Sequence, residues 1–237
     1  MVLLVVLVVT LALPAAPGAA QSEGPQNPVY LPLVFNNRPA NPVHSGVATY
    51  YYATGAGSCG YPASPGDLMV AAMNADQYDG SAACGAYVLV HGPKGSVTVR
   101  IVDLCPGCDA GHLDLSEQAF ARIADLPRGR VPITWQVISP DLPGPIAYYF
   151  NASSNPWWMA VQIRNHRNPV AKLEYFSNGQ WIELPRQSWN YFIRPGDERN
   201  DGPYTFRVTD ANGNTLVDSN IPFRPGETIN GGSQFPP

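Results

Sequence analysis

Apolar and polar residues alternate without a break from Val97 to Ile101, where Thr98 and Arg100 separate Val97, Val99 and Ile101. A period of two belongs to a strand with one buried face. The same period returns in VPITWQVI (131–138), and short runs of this kind recur through the C-terminal half: IAYYF, WMAVQI, VAKLEYF, QWIEL, YTFRVTD and NTLVDS. Asn-Gly pairs at 178–179 and 212–213 are hairpin signals between such runs. GVATYYYATG (46–55) reads as an opening strand, and CGAYVLVHGPKGSVTVRIVD as two strands joined by the turn from His91 to Gly95. One short helix is expected. Ser116 stands at an N-cap position, Glu117 favours the helix dipole, and Phe120 and Ile123 supply an apolar face to about Ala124. A chain patterned this way is all-β.

The Pro-punctuated connector SPDLPGP (139–145) divides the pattern. We read residues 45–140 as a compact β unit with one helix and 141–237 as a β-sandwich. Residues 21–44 are Pro- and Asn-rich and read as a linker, with one apolar patch, YLPLVF. Residues 1–20 combine an apolar run, Val2 to Leu13, with small residues ending in Ala19 and Ala20. This run is too short to span a membrane and reads as a signal peptide. No cysteine follows it, which argues against a lipoprotein.

Export bears on the cysteines. Cys59, Cys84, Cys105 and Cys108 are an even set in an oxidising compartment, which favours two disulfides, with three possible connectivities. Zinc held by Cys105, Cys108 and His112 with a fourth ligand from Cys59 or Cys84 is the rival reading. A redox CxxC fits less well, because Cys108 is followed by the turn-like Asp-Ala-Gly-His rather than by a helix.

Charged residues make up 14% of the chain and the net charge is −4. Nucleic-acid binding would need a basic stripe, and membrane-surface binding a polybasic helix. Neither is present in the sequence. A surface of neutral polar and aromatic groups suits neutral polymers.

With these segments placed, the chain resembles the bacterial expansins from Gly46 to Pro237. The resemblance rests on A-T-Y (48–50), G-P-K-G (92–95), V-D-L (102–104) and L-D-L-S (113–116), then W-W (157–158), VQIRNH.NPV (161–170), LEY..NGQWIEL from Leu173, and the terminal Q-F-P. It implies a six-stranded double-psi β-barrel followed by a family-63 carbohydrate-binding module with an immunoglobulin-like sandwich. It also implies a secreted, monomeric protein without a cofactor, one that loosens cell walls without hydrolysis. Its partner would be cellulose or another β-glucan, or peptidoglycan. The chain departs from the family's bacterial members in carrying Cys105 where many have an aromatic, and in its mild acidity.

The resemblance assigns roles. Cys105 and Cys108 would staple the loop after the strand ending near Asp103. Asp103 and Asp114 would present carboxylates to a groove, with Thr49 beside Asp114. Asp114 lies between Leu113 and Leu115, so in an extended segment it points away from both. For Asp103 the competing reading is a strand-end carboxylate that accepts backbone N–H bonds. Tyr51 shares a strand face with Thr49 and is a stacking candidate, with core packing the alternative. Trp157, Trp158 and Trp189 match the aromatic platform, and Asn155-Pro156 suggests a turn that directs the first two outward. Trp181 is expected in the core, and His112 and Asp109 in a solvated loop.

Two other classes remain. A weak family-45-like endoglucanase, or a peptidoglycan lytic enzyme, would use Asp114 as general acid. It needs a second carboxylate, yet GVATYYYATG contains none, which leaves Asp67, Asp76 and Asp79 as substitutes. A protease inhibitor or purely adhesive protein is the third, against which the tryptophan-rich C-terminal half argues.

Overall fold

The computed structural model describes residues 41–194 and 199–237. The expected signal peptide and all but the last few residues of the expected linker lie outside them.

Six strands close a barrel: β1 (His44–Tyr51), β2 (Val70–Asn74), β3 (Tyr87–Gly92), β4 (Gly95–Cys105), β5 (Leu113–Ser116) and β6 (Val131–Ile138). Their order around it is β1-β5-β2-β4-β3-β6. The β1/β5 and β2/β4 pairs are parallel and the others antiparallel. The strand expected over 131–138 buries Val131, Ile133 and Trp135, and Val97, Val99 and Ile101 of β4 point into the same core. Two short helices follow strands: α1 (Ala75–Tyr78) and α2 (Glu117–Ile123). Ser116 caps α2, its hydroxyl accepting the Ala119 N–H at 3.0 Å, while Phe120 and Ile123 seal one side of the barrel.

The C-terminal strands are β7 (Ala147–Phe150), β8 (Ala160–Arg164), β9 (Val170–Ser177), β10 (Gln180–Glu183), β11 (Phe192–Ile193), β12 (Tyr204–Asp210), β13 (Thr215–Ile221) and β14 (Thr228–Asn230). They form two four-stranded sheets, β10-β9-β12-β13 and β11-β8-β7-β14. Tyr148, Phe150, Val161, Leu173, Phe206 and Phe235 are among the residues that fill the space between them. Both Asn-Gly pairs sit in turns, and Asn178, Gly179 and Gly213 adopt positive φ. One expectation fails here. Trp181 is half-buried on the outer face of its sheet, with the Arg207 guanidinium 4.4 Å from its ring centre and Phe176 beside it. Two hydrogen bonds to Glu174, 2.6 and 2.7 Å long, hold Arg207 over that ring.

Barrel and sandwich meet across a polar junction. The carbonyl of Cys59 accepts from the side-chain amides of Gln162 (2.9 Å) and Asn190 (3.3 Å). Tyr78 donates to Ser188 O at 3.2 Å, and Ser81 to Gln187 O at 2.8 Å. Hydrogen-bonded polar groups at such a contact fix its register, since each would cost roughly 1–3 kcal/mol if buried without a partner.

Candidate functional site

Strand register puts the groove residues on one rung. Asp114 of β5 lies opposite Thr49 on β1 and opposite Ala72 on β2. Ala72 in turn lies opposite Asp103 on β4. Residues paired across adjacent strands share a face, so Thr49, Asp114 and Asp103 are presented together, with the small Ala72 between the carboxylates. Leu113 and Leu115 are fully buried, which sends Asp114 the other way, as the alternation requires.

The Thr49 hydroxyl donates to Asp114 Oδ1 at 2.5 Å. Its oxygen also lies 2.9 Å from His112 Nε2. Because the hydroxyl proton goes to Asp114, the second contact is an Nε2–H donating to Thr49. The result is a chain from His112 through Thr49 to Asp114. His112 is buried, and desolvation together with the Arg130 charge lowers its pKa below the ordinary histidine value, against the opposing pull of Asp114 and Asp109. The expectation of a solvated His112 is therefore corrected, while Asp109 is exposed as expected. A signal was available in the sequence. His112 is two residues before Asp114 in an extended segment and so lies on the same face.

Asp103 has a structural duty. Its Oδ1 accepts the backbone N–H groups of Ser58 (2.7 Å) and Leu104 (2.8 Å). A Cβ at Gly57 would fall 2.5 Å from the Asp103 side chain, so only glycine lets the 57–58 loop close over it. Tyr51 is half-buried, and its hydroxyl is enclosed without a hydrogen-bond partner among the described residues. Burial, Asp103 and Asp114, in that order, push its pKa up.

The cysteines are bridged as Cys59–Cys84 and Cys105–Cys108. The first is buried and braces the junction loop that carries the Cys59 carbonyl. The second closes the turn after β4. Every thiol of the zinc reading is thereby consumed, and no cluster of metal-binding side chains occurs among the described residues.

On the sandwich, Asn155 to Trp158 form a tight turn. Asn155 Oδ1 accepts from Trp157 N at 3.0 Å and Trp158 N at 3.2 Å. Trp157 is 55% exposed and Trp158 half-buried. Trp189 lies on the segment entering β11, which pairs with β8, so all three tryptophans lie on segments that lead into neighbouring strands of one sheet. Trp189 is 36% exposed and packs on Tyr191 with 4.5 Å between ring centres. Behind them Tyr149 meets Tyr191 edge-on at 6.3 Å, and Arg164 lies 3.7 Å over Tyr149. The sequence reading named Trp189 but not this supporting stack. A depression of about 470 Å³ joins the two parts, lined by Ser58 and Leu104 from the flanks of Asp103 and by Ser188 and Trp189.

The barrel thus presents an Asp–Thr pair and the sandwich a set of exposed aromatics, with the depression lined by Leu104 and Trp189 at their junction. Comparisons sharpen this. A family described as lytic transglycolase matches residues 43–135, the barrel. Expansin-YoaJ of Bacillus subtilis is 36% identical over 208 residues, 82% of this chain and 87% of the relative. The crystal structure of a Clavibacter michiganensis expansin variant in complex with cellohexaose superposes with a TM-score of 0.78 at 36% identity, covering 83% of this chain and 99% of that one. A papain inhibitor of Streptomyces mobaraensis is 39% identical over 101 residues, 40% of this chain and 71% of the relative. The chain belongs to the expansin family.

Proposed function

We propose that this is a secreted, monomeric expansin that binds cellulose or a related β-glucan and loosens cell walls without cutting the polymer. In this reading residues 1–20 are a cleaved leader, 21–44 a spacer, 45–140 the barrel and 141–237 the carbohydrate-binding sandwich. The observation that carries the reading is the Thr49–Asp114 pair. Where a family-45-like endoglucanase would set a second carboxylate on the first strand, this chain has a hydroxyl that donates to Asp114.

Asp114 then acts as a charged acceptor for sugar hydroxyls, a stronger bond than its neutral counterpart. Asp103 shapes the groove by anchoring the 57–58 loop. Tyr51 brings an unpaired hydroxyl beside both carboxylates. Trp157, Trp158 and Trp189 give flat faces for sugar C–H groups, large in area and low in entropic cost. The substitutes weighed for a catalytic base fit poorly. Asp76 and Asp79 line a different depression, beside His44 and Trp135, and Asp67 caps the Met69 N–H. The bound cellohexaose in the Clavibacter relative supports the choice of a glucan.

The test pairs two assays on the secreted protein: retention on microcrystalline cellulose, and creep of a clamped wall specimen with reducing sugar measured alongside. Retention and creep without sugar release support the proposal. Sugar release, or retention on peptidoglycan sacculi but not on cellulose, counts against it.

A further inference from the structure

A second cleft lies at the junction and shares Arg164 with the stack behind the tryptophans. It encloses about 240 Å³, with Tyr61, Tyr87 and Arg100 contributed by the barrel and Arg164 and His166 by the sandwich. Its charge is one-sided. Arg100 lies 5.0 Å from the Tyr61 ring centre, and among the described residues its guanidinium makes no ion pair and no hydrogen bond. Arg164 is oriented by Gln162 Oε1 at 2.7 Å and by the Tyr149 ring, again without a carboxylate. Arg186, bonded to the carbonyls of Val170 and Ser81, adds a third guanidinium that acts on the same Tyr61 hydroxyl.

Nothing in the lining offsets these charges. His166 donates Nδ1–H to Asn168 O at 2.8 Å, and burial keeps its ring neutral. The carboxylate that acts on Tyr87, Asp67, is exposed and accepts the Met69 N–H. Gly85 belongs to the same construction. Its φ is +78°, and a Cβ there would sit 2.5 Å from both His166 Nε2 and the Tyr61 hydroxyl. In a chain of net charge −4, the half-buried guanidiniums of Arg100 and Arg164, with no ion pair among the described residues, are costly, and a bound anion would relieve that cost. Burial already depresses the Arg164 pKa.

We infer that this cleft is an oxyanion site, in which Arg100 and Arg164 together hold one carboxylate or phosphate group on a sugar-sized unit. The volume falls below the roughly 300–1,000 Å³ of drug-sized pockets, so it takes a single unit and not a chain. The guanidinium fork suits both planar carboxylates and phosphates. Because one arginine comes from each part, the bound anion also clamps barrel to sandwich.

The test titrates the full chain at low ionic strength with D-glucuronate, inorganic phosphate and D-glucose, by calorimetry and by thermal melting. One anion per chain should bind saturably and raise the melting temperature, while neutral glucose does neither. Selectivity for glucuronate or for phosphate identifies the source of the anion, and equal binding makes the site general for oxyanions. Arg100→Gln should weaken binding about ten- to a hundredfold, the loss of a charged hydrogen-bonding group. Arg100→Lys, which keeps the charge without the fork, should fall between. No saturable binding of either anion overturns the inference, as does unchanged affinity in a folded Arg100→Gln. Should that variant not fold, unchanged affinity in Arg100→Lys overturns it. Cellulose retention by Arg100→Lys is expected to match wild type, which separates this site from the glucan-binding reading.

Discussion

Thr49 and Asp114 face each other across the parallel strands β1 and β5, and the threonine hydroxyl points its proton at the carboxylate from 2.5 Å. The Nε2–H of His112 backs that hydroxyl from 2.9 Å. Each donor in such a chain polarises the next, so Asp114 is held rigidly and stays an acceptor.

Asp114→Asn is nearly isosteric and removes the charge. A hydrogen bond to a charged group is worth about 1.5–3 kcal/mol, against about 1 for a neutral pair. Wall creep should therefore fall well below wild type in this variant, with cellulose retention unchanged because the tryptophans supply it. Wild type should release no reducing sugar above a blank. Oligosaccharide release by wild type that disappears in Asp114→Asn would falsify the non-hydrolytic reading.

The three tryptophans should dominate retention on insoluble glucan. Truncating a single stacking aromatic costs roughly 1–3 kcal/mol, so a triple alanine variant should elute with the unbound fraction while its melting curve stays cooperative. Trp157→Ala should weaken binding more than Trp158→Ala, because Trp157 is the more exposed of the two. Salt should matter little to retention, since the platform carries no charge. A folded triple variant that still binds like wild type would mean the platform lies elsewhere.

Alternation made some of the fold readable and hid the rest. Strands β4, β6 and β12 each have one wet face, so their sequences carry the period of two. Strand β2 does not, because VAAMN is buried at all five positions between β5 and β4. With two buried faces there is no alternation to read. Strands β11 and β14, of two and three residues, are too short to show a period. At the site, Asp114 was legible because two core leucines flank it, whereas His112 follows a turn and so resembled a loop residue. Trp181 misled for a different reason. An ion-paired arginine covers its ring, which makes an outward-facing tryptophan tolerable without placing it in the core. Cysteine spacing alone does not choose among the three connectivities; the resemblance alone put Cys105 and Cys108 together.

The two disulfides should differ in consequence. Cys59–Cys84 spans 25 residues and is buried, whereas Cys105–Cys108 spans 3 and is half-exposed. Loop-closure entropy grows with span. Replacing Cys59 and Cys84 by serine should cost about 2–5 kcal/mol and loosen the junction through the Cys59 carbonyl. The same change at Cys105 and Cys108 should cost less and alter creep more than melting. Mass spectrometry of secreted protein should find all four thiols oxidised, and mild reductant should open Cys105–Cys108 first. Free thiols with bound zinc would reverse the assignment.

Acid should destabilise the protein through its buried histidines. His166 is buried beside Arg186 and Arg100, and desolvation, opposed by its bond to the Asn168 carbonyl, lowers its pKa from 6.5 to about 4. The unfolded chain therefore takes up a proton that the folded chain refuses across that interval. Stability from this group is complete above pH 6.5 and is lost as pH falls toward 4, at roughly 1.4 kcal/mol per pH unit. His112, shifted in the same direction, adds to the slope. That range brackets the ordinary histidine value, so urea melts between pH 6.5 and 5 follow the histidines most directly. About 2 kcal/mol should disappear across it through His166. His166→Gln keeps a side-chain N–H for the Asn168 carbonyl but cannot titrate, so it should flatten the slope even if its stability at pH 7 is lower. A variant that loses as much stability as wild type between pH 6.5 and 5 would show that His166 is not the group responsible.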